Sequence, residues 1–173
     1  MIFLETFLLN TVALISAFNI IKMTVLKNRQ IYAFTQFFNV YGAMAFLLLL
    51  SYVKFATYYL IVLDFLSFCV LMLFYIRAFD ASNKKFHERF KVIILSFGYN
   101  KKTYFNTFLS KKLLARGFEA YFAGIGFFYL VNKLFFLIND PLNPLMVIIP
   151  SISFFFASVI KISKNNKVYK FLM

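Results

Sequence analysis

Three ionisable side chains stand inside apolar sequence, and their types and spacing point to proton chemistry. Arg116 and Glu119 are three residues apart in Arg116-Gly117-Phe118-Glu119, which puts both on one helical face. Asp64 lies near the middle of the apolar run Phe55 to Ile76. A charge at membrane depth is costly, so each such residue is a functional candidate whose partner has to be named. A carboxyl poised between desolvation and a nearby Arg or Lys can load and release a proton. The plainer roles are an interfacial ion pair for Arg116–Glu119 and an interhelical hydrogen bond for Asp64. Lys133, one turn from the end of its apolar run, reads as a cation snorkelling to headgroups. Other chemistries are closed. One histidine, His87, and one cysteine, Cys69, leave no histidine pair for haem and no metal cluster. No glycine-rich phosphate loop is present, so neither a cofactor nor a catalytic residue is expected.

The elements that must position these residues follow from composition. The 173 residues are 62% hydrophobic and 14% charged, with a mean hydropathy of +0.79. Soluble domains run at roughly 45–50% apolar and about 25% charged. A water-soluble domain of this length cannot hide so much apolar surface, so lipid is the expected solvent. That excludes most soluble enzymes, disulfide scaffolds and disordered tails. The residues of AT-rich codons dominate, with 27 Phe and 11 Tyr against 5 Gly, 3 Pro and no Trp. The sequence also enters an apolar segment without an Arg- and Ser-rich presequence. Together these point to a mitochondrially encoded protein, the alternative being an AT-rich bacterium.

About 20 apolar residues cross a hydrocarbon core of about 30 Å. On that scale the expected fold is all-α, a polytopic membrane protein with five spans. They are 3–21, 31–53 and 55–76, the last two in a tight hairpin at Lys54, then 117–138 and 145–160. Asn139-Asp140-Pro141-Leu142-Asn143-Pro144 is a turn by composition. A basic tail, 161–173, ends the sequence. With the amino terminus outside, the inside segments 22–30, 77–116 and 161–173 hold 17 of the 19 Lys and Arg. This satisfies the positive-inside bias and, in a mitochondrion, puts the carboxyl terminus in the matrix and the amino terminus in the intermembrane space.

The basic region 77–116 carries Phe86, Phe90, Ile93, Ile94 and Phe97 near helical spacing, with Gly98 as a stop, then Tyr104, Phe105, Phe108 and Leu109. Two amphipathic helices on the matrix face are expected. Their cations Lys84, Lys85, Arg89, Lys91, Lys101, Lys102, Lys111 and Lys112 are candidate contacts for anionic lipid such as cardiolipin. An aromatic and basic mixture also suits single-stranded nucleic acid, but a segment tethered between spans favours lipid or a partner subunit, and no nucleic acid is expected.

The stretch Arg116-Gly117-Phe118-Glu119-Ala120-Tyr121-Phe122-Ala123-Gly124 resembles subunit a of the rotary ATP synthase, the proton-channel subunit beside the c-ring. In that family an arginine precedes a phenylalanine by two and an Ala-Gly pair by seven and eight. Leu109-Ser110-Lys111 is similar to the family's Leu-Ser-Lys, and the five-span order agrees. The chain differs at Ala120, where the family has Asn, at Ile125, where it has a polar residue, and in carrying no glutamine after Gln36. The resemblance implies that Arg116 separates two proton half-channels and faces the c-ring carboxylate, with Glu119 and Asp64 as half-channel groups. Val40-Tyr41-Gly42-Ala43-Met44-Ala45-Phe46-Leu47 is similar to the central helix of subunit six of the proton-pumping NADH dehydrogenase, where a Gly-rich bulge permits helical rearrangement.

The function expected is therefore that of an inner-membrane subunit of an oxidative-phosphorylation complex, working only beside other membrane subunits. The specific expectation is subunit a with a c-ring partner. The alternative is a structural accessory subunit of cytochrome oxidase or NADH dehydrogenase that packs on core subunits and binds cardiolipin.

Overall fold

The computed structural model describes residues 2–27, 33–57, 60–98, 100–137 and 144–171. Within them the side chains of Ala33, Leu60, His87, Glu88, Arg89, Lys91, Leu95 and residues 164–171 lie outside the described set. The chain is an all-α polytopic membrane protein. Its helices are α1 (Ile2–Leu26), α2 (Val40–Ala56), α3 (Leu60–Ser96), the single turn α4 (Lys101–Tyr104), α5 (Ser110–Leu137) and α6 (Leu145–Phe171). A 3₁₀ segment, Ala33–Phe38, leads into α2, and a π turn, Phe105–Leu109, joins α4 to α5. Four helical runs, Ile2–Leu26, Ile61–Phe86, Lys101–Leu137 and Leu145–Ser163, are long and apolar enough to cross a membrane, and the 17-residue α2 is a shorter apolar helix.

Contacts between helix ends set the directions. Lys54 near the end of α2 meets Glu5 at the start of α1 and Asp64 at the start of α3. Ser51 of α2 bonds Asn132 near the end of α5. The starts of α1 and α3 and the ends of α2 and α5 therefore share one end of the bundle, and the long ends of α3 and α4 make the opposite, basic end. α1 packs most extensively on α3, and α2 on α6.

Each inward stripe follows helical periodicity. On α1 it is Thr6, Asn10, Ala13, Ala17, Ile21 and Val25; on α5 it is Leu113, Gly117, Ala120, Gly124, Phe128, Val131 and Phe135. Small residues recur on both, which lets backbones approach closely where lipid removes the hydrophobic drive between helices. The large apolar side chains instead cover the outside, among them Phe65, Phe122, Ile149 and Phe156. In water such a sheath is an exposed apolar patch far beyond what a soluble monomer carries; in lipid it is ordinary.

Three boundaries differ from the sequence expectation. α2 runs past Lys54 to Ala56 with Thr57 as its C-cap, and α3 begins at Leu60. Asp64 consequently lies in the first turns of its helix rather than near a mid-span position. The basic region does not lie as two separate surface helices. It is the continuation of α3 to Ser96 and a second arm that begins at Lys101 and runs into α5. Gly98 does act as the stop, with φ at 83°, a conformation glycine adopts at no steric cost. Phe90 of the first arm packs against Phe108 of the second (ring centroids 5.6 Å) and holds the two together, while Tyr104 stacks on Phe108 within the second arm (5.9 Å). Finally, α6 extends through the expected tail to Phe171.

Candidate functional site

A group of three charges from three helices lies at the end where α1, α2 and α3 meet. Lys54 Nζ donates to Glu5 Oε1 at 2.6 Å and to Asp64 Oδ1 at 2.5 Å. All three side chains are partly exposed, at 21% for Lys54, 46% for Glu5 and 29% for Asp64. One ammonium between two carboxylates leaves a net charge of −1 in a half-desolvated place. Asp64 thus has a specific cation partner, contributed by the lysine that the sequence suggests as a span boundary. Glu5 and Lys54 were not among the expected site residues. A lysine ten positions before a carboxylate, across a short turn, was the available signal.

Arg116 and Glu119 pair on α5. Both point away from the bundle, since the inward stripe passes through Leu113, Gly117 and Ala120; Arg116 is 50% exposed and Glu119 67%. Because the helical run starts at Lys101, Arg116 lies near the middle of the 37-residue segment Lys101–Leu137. Asp64 is not brought to this pair. Gly117 packs against Phe79, which is about 22 Å along α3 from Asp64 at 1.5 Å per residue.

Between these two groups the bundle holds a buried polar crossing that the sequence reading missed. Tyr75 Oη of α3 donates to Asn10 Oδ1 of α1 at 2.5 Å, and Asn10 Nδ2 donates to the Thr6 carbonyl at 2.8 Å. Tyr75, Asn10 and Thr6 are fully buried. Beside them Thr11 Oγ1 and Tyr121 Oη share a hydrogen bond of 2.8 Å between α1 and α5. Gly124 of α5 leaves the room for this crossing, because a Cβ there collides with Tyr75 Oη and approaches Asn10 Oδ1 at 2.9 Å. An asparagine in an apolar span was the signal, since such amides seek an interhelical partner.

A second lock ties α2 to α6. Asn39 caps α2, its Oδ1 accepting from the N–H groups of Tyr41 and Gly42. Its Nδ2 donates to Ser158 Oγ at 2.9 Å, and Ser158 Oγ donates to the Phe37 carbonyl at 3.0 Å. Gly42 is confined by that same carbonyl and by Ser158 Oγ. It is an ordinary α-helical position in α2, with no bulge there, and close packing accounts for its size.

Comparison of the chain with protein-family models, with curated proteins and with solved structures finds no match.

At the basic end the expected lipid contacts separate into two kinds. Lys84 pairs with buried Asp80 at 3.0 Å, with Arg77 at 3.7 Å on the other side. Asp80 offsets one of these two positive charges on its own helix, a role not expected from the sequence. Lys85 and Lys112 lie over the Phe86 ring, at 5.6 and 5.8 Å from its centroid. Lys101, Lys102 and Lys111 are exposed. Arg89 and Lys91 fall among the side chains outside the described set. Cys69 is half-buried in α3, and Lys133 lies over Phe136 near the end of α5.

Proposed function

We propose that the chain is a mitochondrially encoded subunit of the inner membrane, part of an oxidative-phosphorylation complex, and within that class the proton-translocating subunit a of the rotary ATP synthase. The amino terminus faces the intermembrane space in this reading, and the carboxyl terminus the matrix. The observation that carries it is the outward Arg116 on α5. A guanidinium on the outer face of a membrane helix, 15 residues inside a continuous helical run, is poorly solvated by acyl chains. It calls for a neighbouring protein surface, and the resemblance over Arg116 to Gly124 names one, the c-ring with its carboxylates. A fixed cation there lowers the pKa of a passing carboxyl and blocks a direct proton leak. Glu119, its pair, is the group from which Arg116 turns to that carboxylate. Asp64, about 22 Å away along α3, serves in this scheme as a surface collector held by Lys54 rather than as a relay next to Arg116.

A second reading is favoured by one distance. Arg116 is 21 residues from the end of α5, about 30 Å, which is one hydrocarbon thickness. That depth suits an interfacial Arg116–Glu119 pair in an accessory subunit of cytochrome oxidase or NADH dehydrogenase. Gentle extraction, native gel separation and mass spectrometry of the band containing this chain separate the two. Co-migration with the c-ring and the ATPase head supports the first and makes Arg116→Ala, read as loss of proton-driven ATP synthesis, the next measurement. Co-migration with oxidase or dehydrogenase subunits removes it.

A further inference from the structure

A lateral crevice of about 110 Å³ opens between α1 and α5, lined by Leu14, Ile15 and Phe18 of α1, Phe79 of α3, and Leu114, Gly117 and Phe118 of α5. Its lining is apolar throughout. Gly117 and Phe79 make the floor, the Phe79 ring packed directly on the Gly117 backbone, where a Cβ would stand 2.5 Å from Phe79 Cε1. Phe18 lines the side toward the basic end, in edge contact with Phe79 (5.8 Å) and tilted against Phe105 (6.2 Å).

The same two helix faces carry cations just beyond that end. Lys22 is one turn past Phe18 on α1, and Lys111 is three residues before Leu114 on α5. Helical spacing therefore continues the groove-lining row to a lysine on each side. Leu14 and Gly117 are level with each other. From that level Lys22 is about 12 Å along α1 and Lys111 about 9 Å along α5, in the same direction because the helices are antiparallel. Both lysines are exposed and neither makes an ion pair among the described residues. Asn19, also exposed, lies between Ile15 and Lys22 on that face.

We infer that this groove is a binding site for one anionic phospholipid, an acyl chain lying in the crevice and the headgroup phosphate held between Lys22 and Lys111. An apolar slot that ends at two unpaired cations matches an acyl chain that ends at a phosphate. A partner helix with an uncharged end leaves both ammonium groups unanswered, and a free phosphate leaves the slot unfilled. The site rests on the membrane fold and not on which complex the chain belongs to. It is also distinct from Lys84, Lys85, Lys101 and Lys102, none of which borders the crevice.

The test is native mass spectrometry of the full chain released from detergent, with phosphatidylglycerol or phosphatidylcholine added at equal concentration. One phosphatidylglycerol is expected to be retained over phosphatidylcholine by roughly 30-fold, as two lysines near a headgroup provide. Lys22→Gln with Lys111→Gln brings that ratio near one. Lys27→Gln with Lys161→Gln, two exposed lysines outside the groove and outside the expected lipid contacts, leaves it unchanged, which separates the groove from the general attraction of a chain with net charge +13. Ile15→Trp, at a lipid-facing position, fills the slot and removes the retained lipid without touching a charge. Added inorganic phosphate does not compete. Equal retention of both lipids, a ratio that survives the first double variant, or loss with the second overturns the inference.

Discussion

Lys54 Nζ of α2 lies 2.5 Å from Asp64 Oδ1 of α3 while also reaching Glu5 Oε1 of α1 at 2.6 Å. One ammonium therefore joins the beginnings of two helices to the end of a third. The arrangement is asymmetric. Either carboxylate can lose its charge and leave the other paired, whereas losing the cation leaves two like charges together.

Substitution at this junction should show that asymmetry. Lys54→Met is expected to destabilise the chain in detergent by about 1–2 kcal/mol, below the roughly 3–5 of a fully buried broken pair because these side chains are partly exposed. Asp64→Asn should cost about half as much or less, since Glu5 still answers the lysine. Thermal unfolding of the two variants side by side checks it. A larger loss for Asp64→Asn than for Lys54→Met contradicts the shared-cation geometry.

Arg116 and Glu119 should behave in the opposite way. Their pair lies on an outward face with both side chains at least half exposed, and both partners belong to α5, so breaking it unties no two helices. Arg116→Ala is therefore expected to leave the melting temperature of the isolated chain almost unmoved. If the same variant abolishes proton-driven synthesis in the assembled complex, the effect lies in the assembly's chemistry. A substantial fall in the stability of the isolated chain instead makes Arg116 a structural residue.

The long apolar runs made the helices legible in the sequence, because membrane thickness fixes how many residues a span needs. Charge did not mark their ends. Lys54 looked like a boundary, yet it stays inside α2 because its head is met by Asp64 and Glu5. The arms at the basic end were also hidden. A hydropathy pattern cannot tell a helix that leaves the membrane from a new surface helix, and the pairing of Phe90 with Phe108 is a tertiary fact. Of the candidate site, the Arg116–Glu119 pairing followed from three-residue spacing alone. Asn10 and Tyr75 are 65 residues apart, and no local spacing joins them.

Tyr75→Phe isolates the worth of that long-range bond. It removes one hydroxyl and leaves Asn10 Oδ1 buried without this donor. Intramembrane hydrogen bonds average about 0.6 kcal/mol and reach about 1.7, and a fully buried acceptor belongs toward the upper value. A loss of about 1–1.5 kcal/mol is expected by unfolding in detergent. The double variant Asn10→Leu with Tyr75→Phe should recover part of it, since no polar atom is then stranded. A double variant no better than the sum of the singles shows that the two groups do not interact.

Gly124 and Gly126 provide a matched comparison on one helix. A Cβ on Gly124 collides with Tyr75 Oη and crowds Asn10 Oδ1, whereas nothing lies within 4 Å of a Cβ on Gly126. Gly124→Ala must push α5 away from α1 and α3 or break their hydrogen bond. Overpacking of a filled core costs about 1–3 kcal/mol, and the lost bond adds to it. Gly126→Ala should be neutral or stabilising by up to about 1 kcal/mol, because alanine loses less backbone freedom in a helix. Unfolding in the same detergent compares them directly. Only a close approach of α5 to the Asn10–Tyr75 crossing makes two glycines, two residues apart, respond with opposite sign.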